Sequence, residues 1–177
     1  EYFRFGREVA RLDFTSHQGN DFQVTDRNWR KLGQTVREFH EDGRFVVFPG
    51  YEWSGNTTAG GDRNVIYRSE GAPIFRSSHW QVAEVPEDDR SPAHPASVLF
   101  DRLHAHVGAE NAIVAAHVGG RYADVRQFHD GDLCRLVEVA SCWGVFEWLL
   151  WDALEAGQMV GVVCNSDGHK GRPGAEG

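Results

Sequence analysis

The sequence predicts an α/β fold, a parallel barrel or sheet, and three observations carry that prediction. Six short apolar runs read as strands, most of them separated by a helical pattern or a loop, which is the rhythm of βα units. The run at residues 159–164 is apolar and rich in valine, as a strand covered on both faces should be. Polar residues follow it at once, in Asn165-Ser166-Asp167-Gly168-His169, and other runs end the same way. Acids and imidazoles therefore gather at strand carboxyl ends, which in such folds converge on one pocket.

The elements follow in order. Residues 1–11 form a short helix-like stretch, and residues 12–17 a brief apolar run that ends in His17. Thr25 or Asp26 caps a helix running to about His40, with Trp29, Leu32, Val36 and Phe39 on one apolar face and Gly43 as its stop. The strand Phe45-Val46-Val47-Phe48 comes next, and Gly50-Tyr51-Glu52-Trp53-Ser54 leaves it, placing a carboxylate at a strand exit. A Gly/Thr/Asn loop at residues 55–61 leads to the short strand Asn64-Val65-Ile66-Tyr67. Asp62 and Arg63 stand at that strand's beginning, away from the carboxyl ends of a parallel set. Residues 69–95 show no period, and a loop of that length suits a lid over a site. A helix at 95–108 precedes a strand at 111–117, which ends in His117 before the tight exit Gly119-Gly120. The strand Leu136-Val137-Glu138-Val139 leaves through Ser141-Cys142-Trp143-Gly144. An apolar helix at 146–156, ended by Gly157, leads to the last strand.

Composition narrows the function. With 41% of 177 residues hydrophobic, the chain supports one core of ordinary size and a single domain over residues 1–177. A net charge of -8 argues against a nucleic-acid groove, which needs a basic face. A small or phosphorylated substrate fits, because a bound metal supplies positive charge locally. Cys134, Cys142 and Cys164 have no Cys-x-x-Cys spacing and cannot all pair within one chain, so unpaired, mostly buried thiols are expected. No apolar run reaches the roughly 20 residues of a membrane helix. The chain opens on Glu1 inside a helical pattern, so upstream protein is expected to precede it, with the C-terminal end incomplete as well. Localisation is close to unreadable, with the cytoplasm slightly favoured, and oligomeric state is not readable.

His17, Glu52, His117, Glu138, Asp167 and His169 are the candidate metal ligands, with Asp167 and His169 also the candidate catalytic pair. Asp-x-His presents an oxygen and a nitrogen to one divalent ion or to two neighbouring ions, and zinc, manganese or iron all accept both atom types. Mixed sets of this kind serve hydrolases that use two or three ions to activate water. Each residue also has a plainer reading. His17 could cap the next segment, Glu138 could orient a ligand or pair with an arginine, and residues 170–174 could be an exposed basic loop. Glu52 follows buried aromatics and needs a partner. His117 follows Ala115-Ala116, which give no apolar reason for an imidazole.

Ser16-His17, Gly50-Tyr51-Glu52-Trp53-Ser54-Gly55, Arg63-Asn64-Val65, His117-Val118-Gly119-Gly120, Val137-Glu138-Val139 with Trp143-Gly144, and Asn165-Ser166-Asp167-Gly168-His169-Lys170-Gly171-Arg172-Pro173-Gly174 span nearly the whole chain. Together they resemble the PHP (polymerase and histidinol phosphatase) superfamily, closest to a bacterial branch with a domain-of-unknown-function label. The resemblance implies a distorted seven-stranded, TIM-like (β/α)7 barrel, lacking its first strand in this chain, with up to three metal ions at its mouth. It also implies phosphoester hydrolysis, and a His-x-His pair on the strand that would precede residue 1. Relatives place a further metal histidine near Asp62-Arg63-Asn64, where this chain has none. The expected activity is that of a metal-dependent phosphoesterase, with Arg63, Lys170 and Arg172 holding an anionic substrate group. The alternative is a non-catalytic metal-binding PHP-like domain of a larger protein.

Overall fold

The computed structural model describes residues 1–82 and 91–175. Of the loop predicted at 69–95, residues 83–90 lie outside the described residues.

Helix α1 (Tyr2–Arg4) continues as a π-helical stretch, Phe5–Val9. Strand β1 (Phe14–Ser16) pairs in parallel with β3 (Val46–Phe48), and β2 (Gly19–Asn20) pairs in parallel with β4 (Gly50–Ser54). Pro49, which has no N–H to give a ladder, separates β3 from β4. Between β2 and β3, helix α2 (Asp26–Phe39) starts where expected, with Thr25 Oγ1 accepting from Asn28 N at 3.2 Å. Strand β5 (Asp62–Tyr67) is followed by α3 (Ala96–His106), β6 (Ala112–Ala116), β7 (Leu136–Ser141), β8 (Gly144–Val145), α4 (Glu147–Glu155) and β9 (Gly161–Cys164).

The sheet runs in the order β2-β4-β5-β6-β7-β8, and β9 pairs in parallel with β7. It is mixed and open, not the closed (β/α)7 barrel predicted. The physical reason lies in one connection. Only residues 55–61 join β4 to β5, and a parallel crossover needs about a dozen residues or more. The chain therefore turns straight back, and β5 runs antiparallel to both β4 and β6. Among the described residues no strand pairing joins β9 to β1 or β2, so the sheet does not close.

Three local readings also change. Residues Gly50–Ser54 are a buried strand in their own right, not an exit, because Tyr51 and Trp53 alternate with Glu52 at the period of a strand covered on both faces. The valine-rich run of β9 is not covered on both faces, since Val162 is 50% exposed. Of the three thiols only Cys134 is buried, while Cys142 and Cys164 are exposed.

Strand alternation then decides which side chains share a face. Tyr51, Trp53, Val65, Tyr67 and Val114 pack with Leu99 and Leu103 of α3, and Val137 packs with Leu149 and Ala153 of α4. Glu52, Ser54, Asp62, Asn64 and His117 alternate with these and share the opposite face. Arg63 falls on the helix side. It is fully buried, its Cζ lies 5.4 Å from the centre of the Phe100 ring, and one terminal nitrogen donates to the carbonyls of Gly60, Asp124 and Phe128 at 2.9–3.1 Å. It therefore ties loops to the sheet and does not meet a substrate, contrary to the role the sequence suggested.

Arg63→Met would take the guanidinium donor from Phe128 O and one of two donors from Gly60 O and Asp124 O, each of which keeps a backbone N–H, so chemical denaturation should show a loss of about 1–3 kcal/mol. Unchanged stability would mean that these hydrogen bonds carry nothing.

Candidate metal centre

Glu52, His117 and Asp167 each offer a ligand atom, and the three atoms lie within 4.8 Å of one another. Glu52 sits in the middle of β4, His117 directly after β6, and Asp167 in the loop after β9. Asp62 joins them because β5 is antiparallel. Its start lies beside the end of β4, where Asp62 is registered with Ser54, and beside the end of β6, where His117 N donates to Asp62 O at 3.2 Å. The sequence reading missed Asp62 by taking every strand as parallel.

His117 is almost fully buried. Its Nδ1 hydrogen-bonds Glu138 Oε1 at 2.7 Å, and Glu138 Oε2 accepts from Asn165 Nδ2 at 2.6 Å. One oxygen of Glu138 thus holds the ring and the other is held by Asn165, so this residue orients His117, the reading that the sequence set beside that of a metal ligand. The other ring nitrogen, Nε2, stands 3.5 Å from Asp167 Oδ2 and makes no well-formed hydrogen bond. Burial alone would lower the pKa of the imidazole, but the Asp167 carboxylate 3.5 Å from Nε2, the hydrogen bond with Glu138 and the charges of Glu138 and Glu52 outweigh it and raise the value to about 10.

The carboxylates crowd one another. Burial, followed by the charge of Asp62, raises Glu52 to about 7. Ser54 Oγ donates to Glu52 Oε1 at 3.1 Å and accepts from Asn20 Nδ2 at 3.0 Å, so β2 fixes that side chain. Burial also raises Asp62, although Arg121 Nε reaches Asp62 Oδ1 at 2.8 Å and Arg121 N reaches Oδ2 at 2.9 Å. The terminal NH2 of Arg121 comes to 3.9 Å from Glu52 Oε1. Burial opposes ionisation of Asp167, yet His117 and the indole N–H of Trp143, which donates to Asp167 Oδ2, hold its pKa below the ordinary value. Asp167 takes a positive φ of 45°, a conformation that aspartate tolerates better than most residues.

The remaining candidates are dispersed. His169 is exposed and belongs to a neighbouring group with Asp167 and Cys142, whose ligand atoms also lie within 4.8 Å of one another. His17 belongs to neither group. It meets the Tyr2 ring at a centroid distance of 5.2 Å and lines a separate cavity of about 360 Å³ with Phe3, Lys31 and Phe39, and burial lowers its pKa. Lys170 and Arg172 are exposed on the loop beyond His169. Asn20, Ser54, Arg121, Cys142, Trp143 and Asn165 support or border the site without having been singled out as site residues. Ser54, Trp143 and Asn165 stood within the motifs that carry the family resemblance, while Asn20, Arg121 and Cys142 gave no signal of a place in the site.

Residues 4–93, just over half of the chain, match the family described as "Protein of unknown function (DUF3604)". The chain belongs to this family. In the DUF3604 match lie His17, Glu52 and Asp62, while His117, Glu138 and Asp167 fall beyond it. The chain is also similar to an uncharacterized protein of Chlamydia pneumoniae (CPj0512/CpB0533), 24% identical over 146 residues that make up 81% of this chain. It covers 22% of that relative's length. No solved structure matches the chain at a significant level.

If Glu138 sets the tautomer of His117, Glu138→Gln should weaken zinc binding about 10- to 100-fold while the protein stays folded. Zinc titration followed by calorimetry measures this, and unchanged affinity would remove Glu138 from the site.

Proposed function

We propose that this protein is a metal-dependent hydrolase of phosphoesters, with a divalent ion held by Glu52, His117 Nε2 and Asp167. The observation behind the proposal is an excess of buried negative charge. Four carboxylates, Glu52, Asp62, Glu138 and Asp167, surround one imidazole, and Arg121 is the one guanidinium among the described residues that reaches them. Even with His117 protonated, the described residues leave the group two positive charges short. Mixed nitrogen and oxygen donors at this spacing suit zinc, manganese or iron.

An ion bound there supplies charge that lowers the pKa of water and polarises a phosphoryl oxygen. The chain's own groups then have definite parts. Glu138 keeps Nδ1 of His117 engaged, so the lone pair faces the cluster from Nε2. Asp62 fixes Arg121 through Nε, leaving the rest of the guanidinium fork at the edge of the site, where it suits an anionic ester. Resemblance to the PHP superfamily supports the same reading. The competing reading, a metal-binding domain without activity inside a larger protein, draws on the small share of the Chlamydia relative that the chain covers.

Protons compete with metal for these donors, and the sign follows from the raised values. Glu52 binds a proton below about 7 and His117 below about 10, so each must lose it to bind an ion. Zinc affinity should therefore rise with pH from 6 to 8, with proton release that calorimetry in buffers of different ionisation enthalpy detects. Affinity flat across that range would contradict the assignment.

For activity, the protein should hydrolyse an aryl phosphate or phosphodiester with added manganese or zinc, and Asp167→Ala should abolish turnover with the circular dichroism spectrum retained. Wild-type rates from Asp167→Ala would remove the hydrolase reading. Tight metal binding without turnover on any phosphoester would favour the non-catalytic domain.

A further inference from the structure

One edge of the acidic cluster ends in an open aromatic ring. Trp143 lies in the turn between β7 and β8, and its indole N–H donates to Asp167 Oδ2. Its backbone N–H donates to Ser141 Oγ at 3.3 Å, and the His169 ring meets the indole edge-on at a centroid distance of 6.0 Å. The preceding residue ties the turn to the loop after β9, since Cys142 N–H donates to Ser166 O at 2.9 Å. Despite these attachments Trp143 is 54% exposed. An indole held this firmly, with more than half of its surface in water, offers an apolar face that has already lost its freedom before a ligand arrives.

Position separates this ring from the other exposed aromatics. Among the described residues Trp143 is the one exposed aromatic side chain that bonds to a member of the cluster. Tyr122 follows Arg121 directly, yet its ring packs edge-on against Trp148 at a centroid distance of 5.6 Å. The guanidinium of Arg121 comes to 3.9 Å from Glu52 Oε1, and the ligand atoms of Glu52 and Asp167 lie within 4.8 Å of each other. A group suited to an anion and an open indole therefore border the same small cluster.

We infer that Trp143 determines specificity by stacking on the organic part of the substrate, which is an aryl or heteroaryl group close to the phosphoryl centre. The inference rests on the proposed phosphoester reading and adds the class of ester. A planar ring covers the indole face and gains a ring–ring contact that a small alkyl group does not. Stacking of this kind is worth roughly 5- to 150-fold in affinity.

Phenylphosphonate and methylphosphonate are the probes, because their P–C bond resists hydrolysis and they differ in the group offered to the ring. Calorimetry on the zinc-loaded protein should show phenylphosphonate binding at least fivefold more tightly. Trp143→Leu should abolish that preference while methylphosphonate still binds. Trp143→Phe, which keeps a ring and loses the N–H to Asp167, should retain it. Trp151→Leu, which alters an exposed indole on α4, should leave it unchanged. Equal binding of the two phosphonates by the wild-type protein, or a preference that survives Trp143→Leu, would overturn the aromatic subsite and leave the phosphoester reading standing. Weakening of both phosphonates alike in Trp143→Leu and Trp143→Phe would make Trp143 a support for Asp167 only and would also overturn the subsite. Binding of neither phosphonate by protein that holds zinc would overturn the phosphoester reading and the subsite with it.

Discussion

Buried carboxylates in excess of their counter-charges are the constraint that gives this structure its meaning. Desolvation makes an unpaired buried charge cost several kcal/mol, and a protein relieves that cost by protonation, by a basic side chain or by a cation. The first two routes are visible around His117. Glu52 has its pKa raised to about 7, Arg121 lies against Asp62, and His117 holds a proton up to about 10 in the absence of any ion. Two protons and one guanidinium do the work that, on the proposed reading, one divalent ion and the same guanidinium would do.

The backbone imposes this crowding through one short link. Because residues 55–61 are too few for a crossover, β5 turns back beside β4. Asp62 is thereby delivered to the ends of β4 and β6, and its neighbour Arg63 is sent by strand alternation to the helix side. A parallel β5 would place the start of that strand at the opposite end of the sheet. The mixed sheet is therefore part of the site's chemistry and not merely its support.

Much of the element order was legible because apolar periodicity is local. Thr25 caps α2 as its sequence position suggests, and Glu52, His117 and Asp167 were found from their placement in or after strands. Strand direction was not legible, since antiparallel and parallel strands share the same period, and only the length of the 55–61 link carried the signal. His17 was misplaced for a related reason. The strand before it pairs with β3, yet the ring turns to Tyr2 and a separate cavity. Exposure of β9 was hidden as well, because a valine run reads alike at the centre and at the edge of a sheet. Cys142 gave no sequence signal, since its nearness to Asp167 depends on a contact between the loops that follow β7 and β9.

The most direct test of a cation at this cluster is a crystal structure of the protein soaked in zinc, with anomalous scattering recorded on both sides of the zinc absorption edge. The account predicts a peak about 2.0–2.2 Å from His117 Nε2 and from carboxylate oxygens of Glu52 and Asp167, with Glu138 still bonded to Nδ1. A saturated crystal with no peak there, and with His117 Nε2 hydrogen-bonded to Asp167 in its place, would contradict it.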